Sequence, residues 1–253
     1  GDCDTDGSIT LVVGQVATCT ISHDDIPPTL TVVKTILNDN GGAVTDEDAF
    51  GLRVDDIAVL HEVSNEFDVG SYVVSEVGLP GYVPGSWGGD CAADGSITLA
   101  LDEDATCTIT NDDISASLTV VKTIVNNNGG LVIDENLFGL KIDGSPVANG
   151  EANSINAGTH VVSEDGLPGY APGVWGGACA ADGTITLALG QVATCTITND
   201  DITPTLTVFK TVINDNGGAI TDENAFGLKV NGNPVLHNAT NEFDAGDYVV
   251  SED

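Results

Sequence analysis

The chain has 253 residues, 39 of them acidic and six basic, and a formal net charge of −33. That balance excludes nucleic acid as a partner, because phosphate binding needs a basic face, and it disfavours anionic membranes for the same reason. No apolar run approaches membrane-spanning length, yet 41% of the residues are hydrophobic and they alternate with polar ones, which points to folded units and not to disorder.

The first 25 residues contain Cys3, Cys19 and, between them, DGSITL at 6–11. Everything in this segment returns after 88 residues: Cys91, Cys107 and DGSITL at 94–99, then Cys179, Cys195 and DGTITL at 182–187. Lys34 returns as Lys122 and Lys210, and Arg53 as Lys141 and Lys229, so every basic residue falls in one of two repeat columns. Arrays of this kind stack copies of one small unit, which makes a rod, stalk or fibre the first expectation. The chain begins at Gly1, not Met, with no signal peptide, and is read as a mature or excised piece.

In phase, one unit spans residues 26–113. In TLTVVKTI, Leu30, Val32, Lys34 and Ile36 share one face, and Thr31, Val33 and Thr35 the other. Further strands are expected at 49–54, 58–61, 66–69, 71–76, 81–87, 96–101 and 105–111, separated by NDNGG, VDDI, VGLPG, AADG and LDED turns. No segment has sustained helical periodicity. The fold class is all-β, a tandem array of Ig-like antiparallel sandwiches. A second unit follows at 114–201. A third, 202–253, stops after its YVVSE strand, while residues 1–25 hold most of the pieces it lacks. Three full units would need 264 residues, eleven more than the chain has. A lone half exposes sheet edges and an apolar face. Residues 1–25 are therefore read as the last strands of a split domain whose first part is 202–253, completed by a neighbouring chain or repeat through strand addition. Head-to-tail contacts that do not close give open filaments. The other reading is a window cut from a longer array.

The cysteines are even in number and read Cys-x15-Cys within each repeat. An oxidising extracellular compartment and the pairs Cys3 with Cys19, Cys91 with Cys107 and Cys179 with Cys195 explain that spacing; free buried thiols are the alternative. Carboxylates gather where the first and last strands end. Asp39, Asn40, Asp112 and Asp113, and likewise Asp200, Asp201 and Asp215, are candidate oxygen ligands for calcium. Asx-rich turns that satisfy their own backbone account for the same residues without an ion. No cofactor is required, and calcium is the one the pattern admits.

The TVVKT strand, the Ala49-Phe50 pair, the GSYVVSE…GLPGY block and the terminal TITN strand resemble the prealbumin-like repeats of bacterial surface proteins, related to the B-type repeats of collagen-binding adhesins and to SpaA-type pilin domains. The resemblance covers both full units and the partial third. It implies an intramolecular isopeptide bond from a first-strand Lys to a last-strand Asn, assisted by an acidic residue: Lys34 to Asn111 with Glu76, and Lys122 to Asn199 with Glu164. Alternation puts each of these on an apolar face, where burial lowers a lysine pKa and raises a glutamate pKa. A buried ion pair hydrogen-bonded to Asn is the competing account. In the third set Lys210 and Glu252 are present, but His23 stands at the Asn position and has no amide to condense. A joint made there is expected to be non-covalent and pH-sensitive.

Trp87, Trp175, Tyr82 and Tyr170 recur strictly, as core aromatics do. Asn238-Ala239-Thr240 is a lone glycosylation sequon. His61, His160 and His237 are read as unrelated by the repeat, so no triad or zinc site is expected. The chain is expected not to be an enzyme. The functional expectation is a structural subunit of an extracellular filament or cell-surface stalk that associates with copies of itself; the alternative is a surface adhesin whose repeats present or contain a ligand-binding region.

Overall fold

The computed structural model describes residues 1–253. Two compact units emerge: Gly1–Asn38 with Ala43–Asp113, and Asp39–Gly42 with Ile114–Asp253.

The first unit contains β1 (Thr29–Leu37), β2 (Leu52–Val54), β3 (Ile57–Ala58), β4 (Ser64–Glu66), β5 (Gly70–Glu76), β6 (Tyr82–Pro84), β7 (Gly88–Gly89), β8 (Ser96–Leu99) and β9 (Asp104–Asp113). One sheet runs β4-β1-β9-β6, with β7 also on β9, and the other runs β3-β2-β5-β8. All pairs are antiparallel except β1 with β9, which run parallel from Thr29 opposite Asp104 to Leu37 opposite Asp112. The alternation read in the sequence fixes which face is buried. Leu30 and Val32 of β1 meet Leu52, Val54, Val74, Ile97 and Leu99 of the facing sheet, with Ala105 and Cys107 beside them. A one-residue slip would turn every one of these to solvent.

Four expected strands differ. Those at 58–61 and 66–69 each share one residue with a strand that lies earlier, β3 and β4. Residues 49–54 begin as a 3-10 turn, Glu47–Phe50, before β2. Asp46 caps it by accepting the Asp48 N–H, and Gly51 ends it at φ 65°, a left-handed conformation. The turn drops Phe50 into the core. Of residues 81–87 only Tyr82–Pro84 are strand, β6, because Gly85 turns its N–H to the Thr110 carbonyl after Pro84; β7 follows at Gly88–Gly89.

The second unit repeats this architecture with β10 (Ala116–Val125), β11 (Leu140–Ile142), β12 (Ser145–Pro146), β13 (Ala152–Ile155), β14 (Gly158–Glu164), β15 (Tyr170–Pro172), β16 (Gly176–Gly177), β17 (Thr184–Leu187) and β18 (Val192–Asp201). Its sheets run β13-β10-β18-β15, with β16 on β18, and β12-β11-β14-β17. The partial third repeat adds β19 (Thr205–Thr207), β20 (Lys229–Val230), β21 (Asn233–Pro234), β22 (Thr240–Glu242) and β23 (Val250–Ser251), as a two-stranded and a three-stranded sheet.

The third repeat's core is thin: Val208, Leu228 and Val230 are buried. Val250 is 50% exposed where its copies Val74 and Val162 are 1% exposed. Residues 1–25 form no strand, and Ile21 is 87% exposed where its copies Ile109 and Ile197 are 3% and 4% exposed. The segment nevertheless keeps the local bonds of its copies. Asp2 N–H reaches the Thr18 carbonyl as Asp90 N–H reaches that of Thr106, and the Asp2 and Asp90 carboxylates accept the Thr18 and Thr106 N–H groups.

Three disulfides join Cys3 with Cys19, Cys91 with Cys107 and Cys179 with Cys195, each with Cα atoms 5.1 Å apart. No helix is long and apolar enough to cross a membrane.

Candidate functional site

The parallel ladder brings the first strand's lysine and the last strand's asparagine together. Lys34 lies opposite Ile109, and Ile36 opposite Asn111, so Lys34 and Asn111 are same-face diagonal neighbours. Glu76 ends β5 on the facing sheet, opposite Leu52. Its carboxylate bridges the two: Lys34 Nζ donates to Oε2 at 2.6 Å, and Asn111 Nδ2 donates to Oε1 at 2.6 Å. The Lys34 side chain is fully buried and that of Glu76 nearly so. Phe50 covers the ammonium, with its ring centroid 4.3 Å from Nζ; a desolvated cation gains from such a face.

The second repeat reproduces the arrangement. Lys122 Nζ donates to Glu164 Oε2 at 2.6 Å, Asn199 Nδ2 donates to Oε1 at 2.7 Å, and Phe138 lies 4.5 Å from the ammonium. Burial pushes the Lys34 and Lys122 pKa values down, outweighing the upward pull of the Glu76 and Glu164 hydrogen bonds and charges. The amide oxygens Asn111 Oδ1 and Asn199 Oδ1 are buried without a hydrogen-bond partner, a costly state for a carbonyl oxygen. Each closed repeat thus holds a depressed-pKa amine, a carboxylate shared between amine and amide, and an amide oxygen with unused acceptor capacity.

The third repeat has only part of this. Lys210 reaches Glu252 at 2.6 Å and lies 4.5 Å from the Phe226 ring, but both side chains are partly exposed. His23 is exposed in the N-terminal segment.

One column escaped the sequence reading. His61 and His237 are two repeat lengths apart, with Asn149 at the position between, so the histidines are not all unrelated as expected. All three accept the backbone N–H of the lysine: His61 Nδ1 from Lys34 at 2.9 Å, Asn149 Oδ1 from Lys122 at 2.7 Å, and His237 Nδ1 from Lys210 at 3.0 Å. They brace the lysine strand. The signal was the 88-residue spacing itself, hidden by an Asn that does the same job as a His acceptor. The Phe50 column was quoted only as part of a resemblance, and its place over the ammonium depends on the 3-10 turn.

The calcium candidates are divided between the units. Asp112 and Asp113 end β9 in the first, while Asp39 and Asn40 lie on the loop that belongs to the second. In the second repeat Asp201 is saturated by protein donors. Its carboxylate accepts the N–H groups of Asn127, Asn128 and Gly130 at 2.7–3.0 Å, along with the Asn128 side-chain amide. Burial raises the Asp201 pKa, but the hydrogen bonds from Gly130, Asn128 and Asn127 overcome it and hold the carboxyl below its ordinary range. Asp200 and Asp215 are exposed, and Asp215 accepts from the Asn216 side chain at 2.8 Å. As a clamp on a loop, Asp201 is accounted for without an ion.

Residues 25–109 and 113–197 each match the family described as the prealbumin-like fold domain. Among solved structures, the Bacillus anthracis TIE protein is similar with a TM-score of 0.51 and 15% identity, over 91% of this chain and 46% of that one. The chain therefore spans less than half the length of that protein. The major pilin from Streptococcus pyogenes aligns with a TM-score of 0.29 and 14% identity, over 71% of this chain and 99% of that one. The first of these likenesses bears on fold. No curated protein matches the chain.

Proposed function

Since the chain belongs to the prealbumin-like fold domain family, we propose that it is a non-enzymatic structural subunit of an extracellular filament or cell-surface stalk, joined head to tail by strand complementation. The observation that carries this is the matched exposure of two incomplete parts. Residues 1–25 and 202–253 leave at their surfaces the side chains that the closed repeats bury, such as Ile21 and Val250. Each part is short of what the other offers. Adding the first to the second, from a neighbouring chain or repeat, buries both apolar faces and pairs the open sheet edges. The disulfides fit an oxidising, extracellular setting.

In the closed repeats the buried triad locks the fold covalently. Proton transfer along the 2.6 Å hydrogen bond from Lys34 to Glu76 leaves a neutral amine and a neutral acid. A half-turn of the Asn111 side-chain amide, whose O and N atoms are interchangeable in shape, presents Oδ1 to that acid. The Nζ lone pair attacks Cγ, the Nζ–Cγ bond forms, and Oδ1 takes the charge while the acid donates to it. Collapse breaks Cγ–Nδ2, and Nδ2 leaves as ammonia with a proton from Nζ. Fixed proximity supplies most of the rate. Lys122, Glu164 and Asn199 do the same. His23 offers no amide, so the head-to-tail joint stays non-covalent.

Two measurements test this. Electron microscopy of the purified chain should show periodic fibres; isolated rods at every concentration would sink the filament. Intact mass should show one ammonia lost per closed repeat, beyond the hydrogens lost to disulfides, and an unshifted mass would remove the covalent lock.

A further inference from the structure

Two loop contacts inside the second unit repeat one another. The Ala157 N–H donates to the Asn40 carbonyl at 2.7 Å, and the Ala245 N–H to the Asn128 carbonyl at 2.7 Å. The pairs are equivalent by the repeat. The next glycine in each loop, Gly41 or Gly129, has φ of +93° or +88°. A Cβ would stand 2.4 Å from the Ala157 carbonyl oxygen at Gly41, and 2.6 Å from the Ala245 nitrogen at Gly129. Backbone meets backbone, and only glycine fits.

Every repeat carries both halves of this contact, already shaped. The loop is braced from within: Asn38, Asn126 and Asn214 donate to the carbonyls of Val44, Val132 and Ile220 at 2.8, 2.8 and 2.7 Å. The corner is braced as well. The Tyr72 and Tyr248 hydroxyls donate to the Asp68 and Asp244 carbonyls at 2.9 and 2.8 Å, and His160 Nε2 bonds the Asn156 carbonyl at 2.8 Å. That brace explains why a histidine can occupy a tyrosine column. One loop and one corner remain. Gly217 has φ of +89° and nothing within 4 Å of its Cβ position, and Val69, at the alanine position of the corner, is 52% exposed.

We propose that these two are a copy-to-copy joint: the loop at 214–218 of one chain docks on the Val69 corner of a second, with the Asn216 carbonyl accepting the Val69 N–H. The inference rests on the head-to-tail reading above and adds a contact to it. The register agrees, since the chain that donates residues 1–25 continues into residues 26–113, which carry Val69. Asp25 of the donated segment stands at the Asp201 position. Its carboxylate meets the N–H groups of Asp215, Asn216 and Gly218 as Asp201 meets those of Asn127, Asn128 and Gly130. Because loop and corner are formed before they meet, docking loses little conformational freedom.

The experiment is sedimentation of the full chain over a range of concentrations, with three variants. Gly217→Asn puts a side chain at the contact, in a conformation asparagine tolerates. Gly232→Asn does so at φ +78° with nothing within 4 Å, and controls for backbone strain. Ile21→Asp disables strand complementation. Association about tenfold or more weaker in Gly217→Asn, and unchanged in Gly232→Asn, is expected. If Gly217→Asn associates like the parent while Ile21→Asp does not, the joint is wrong and strand complementation stands. If Ile21→Asp associates normally and Gly217→Asn does not, the joint stands and complementation falls. A parent chain that never associates overturns both.

Discussion

A lysine that loses its charge more readily than in water leaves a pH signature. In Asn111→Ala with Asn199→Ala, no bond can form and Lys34 and Lys122 stay titratable. Their folded-state pKa values lie below 10.5 because burial disfavours the charge. Between the folded value and 10.5 the unfolded chain binds more protons, so stability rises with pH in that window; below it the burial penalty is present in full. Denaturant melts from neutral to alkaline pH should show that rise in the double variant, and a parent in which both proposed bonds had formed would lack it. Adding Glu76→Gln to the Asn111→Ala background strands a buried ammonium and should cost about 3–5 kcal/mol. The side chains of this triad were legible by alternation and by resemblance together. What alternation could not give was the partner on the facing sheet: Glu76 meets Lys34 through the packing of two sheets, and Phe50 meets it through a turn no period announces.

Among the elements, the strands were read well wherever a run alternated between turns, as in β1, β5, β8 and β9. The reading stretched residues 49–54 into a single strand because Phe50, Leu52 and Val54 alternate. The turn signals were present in Asp46 and Gly51, which bracket one turn of helix, and local capping there wins over period. The Cys91 to Cys107 bond ties the loop after β7 to β9. Replacing both by alanine should lower stability by about 3 kcal/mol in the chain-entropy account, read as a shift in denaturation midpoint at constant slope. The Asp201 clamp is open to hydrogen exchange. Asp201→Ala should speed exchange at the amides of Asn127, Asn128 and Gly130, while a calcium chelator added to the parent should leave them as they are. Faster exchange with chelator would give the carboxylates an ion to hold.

Across the whole molecule, charge opposes assembly. At −33 per chain, copies repel over distances that salt shortens, to about 10 Å at 0.1 M. Association should therefore strengthen as sodium chloride rises from low millimolar to physiological levels, followed by light scattering; weakening would mean that attraction between unlike charges, not apolar burial, drives the contact. The repeat and its phase were plain in the sequence. The loop-to-corner contact was not, because it is made by backbone atoms and by the absence of a side chain at Gly41 and Gly129.

The parallel pairing of β1 with β9 has a mechanical meaning. A chain that enters at the head of β1 and leaves at the tail of β9 is pulled from opposite ends of one ladder, so all nine registered pairs bear load together in shear instead of opening one by one. With a bond from Lys34 to Asn111, tension would pass from one strand to the other near the far end of that ladder. The residues between them would then lie outside the path of the load, and a repeat could transmit a pull without being stretched open.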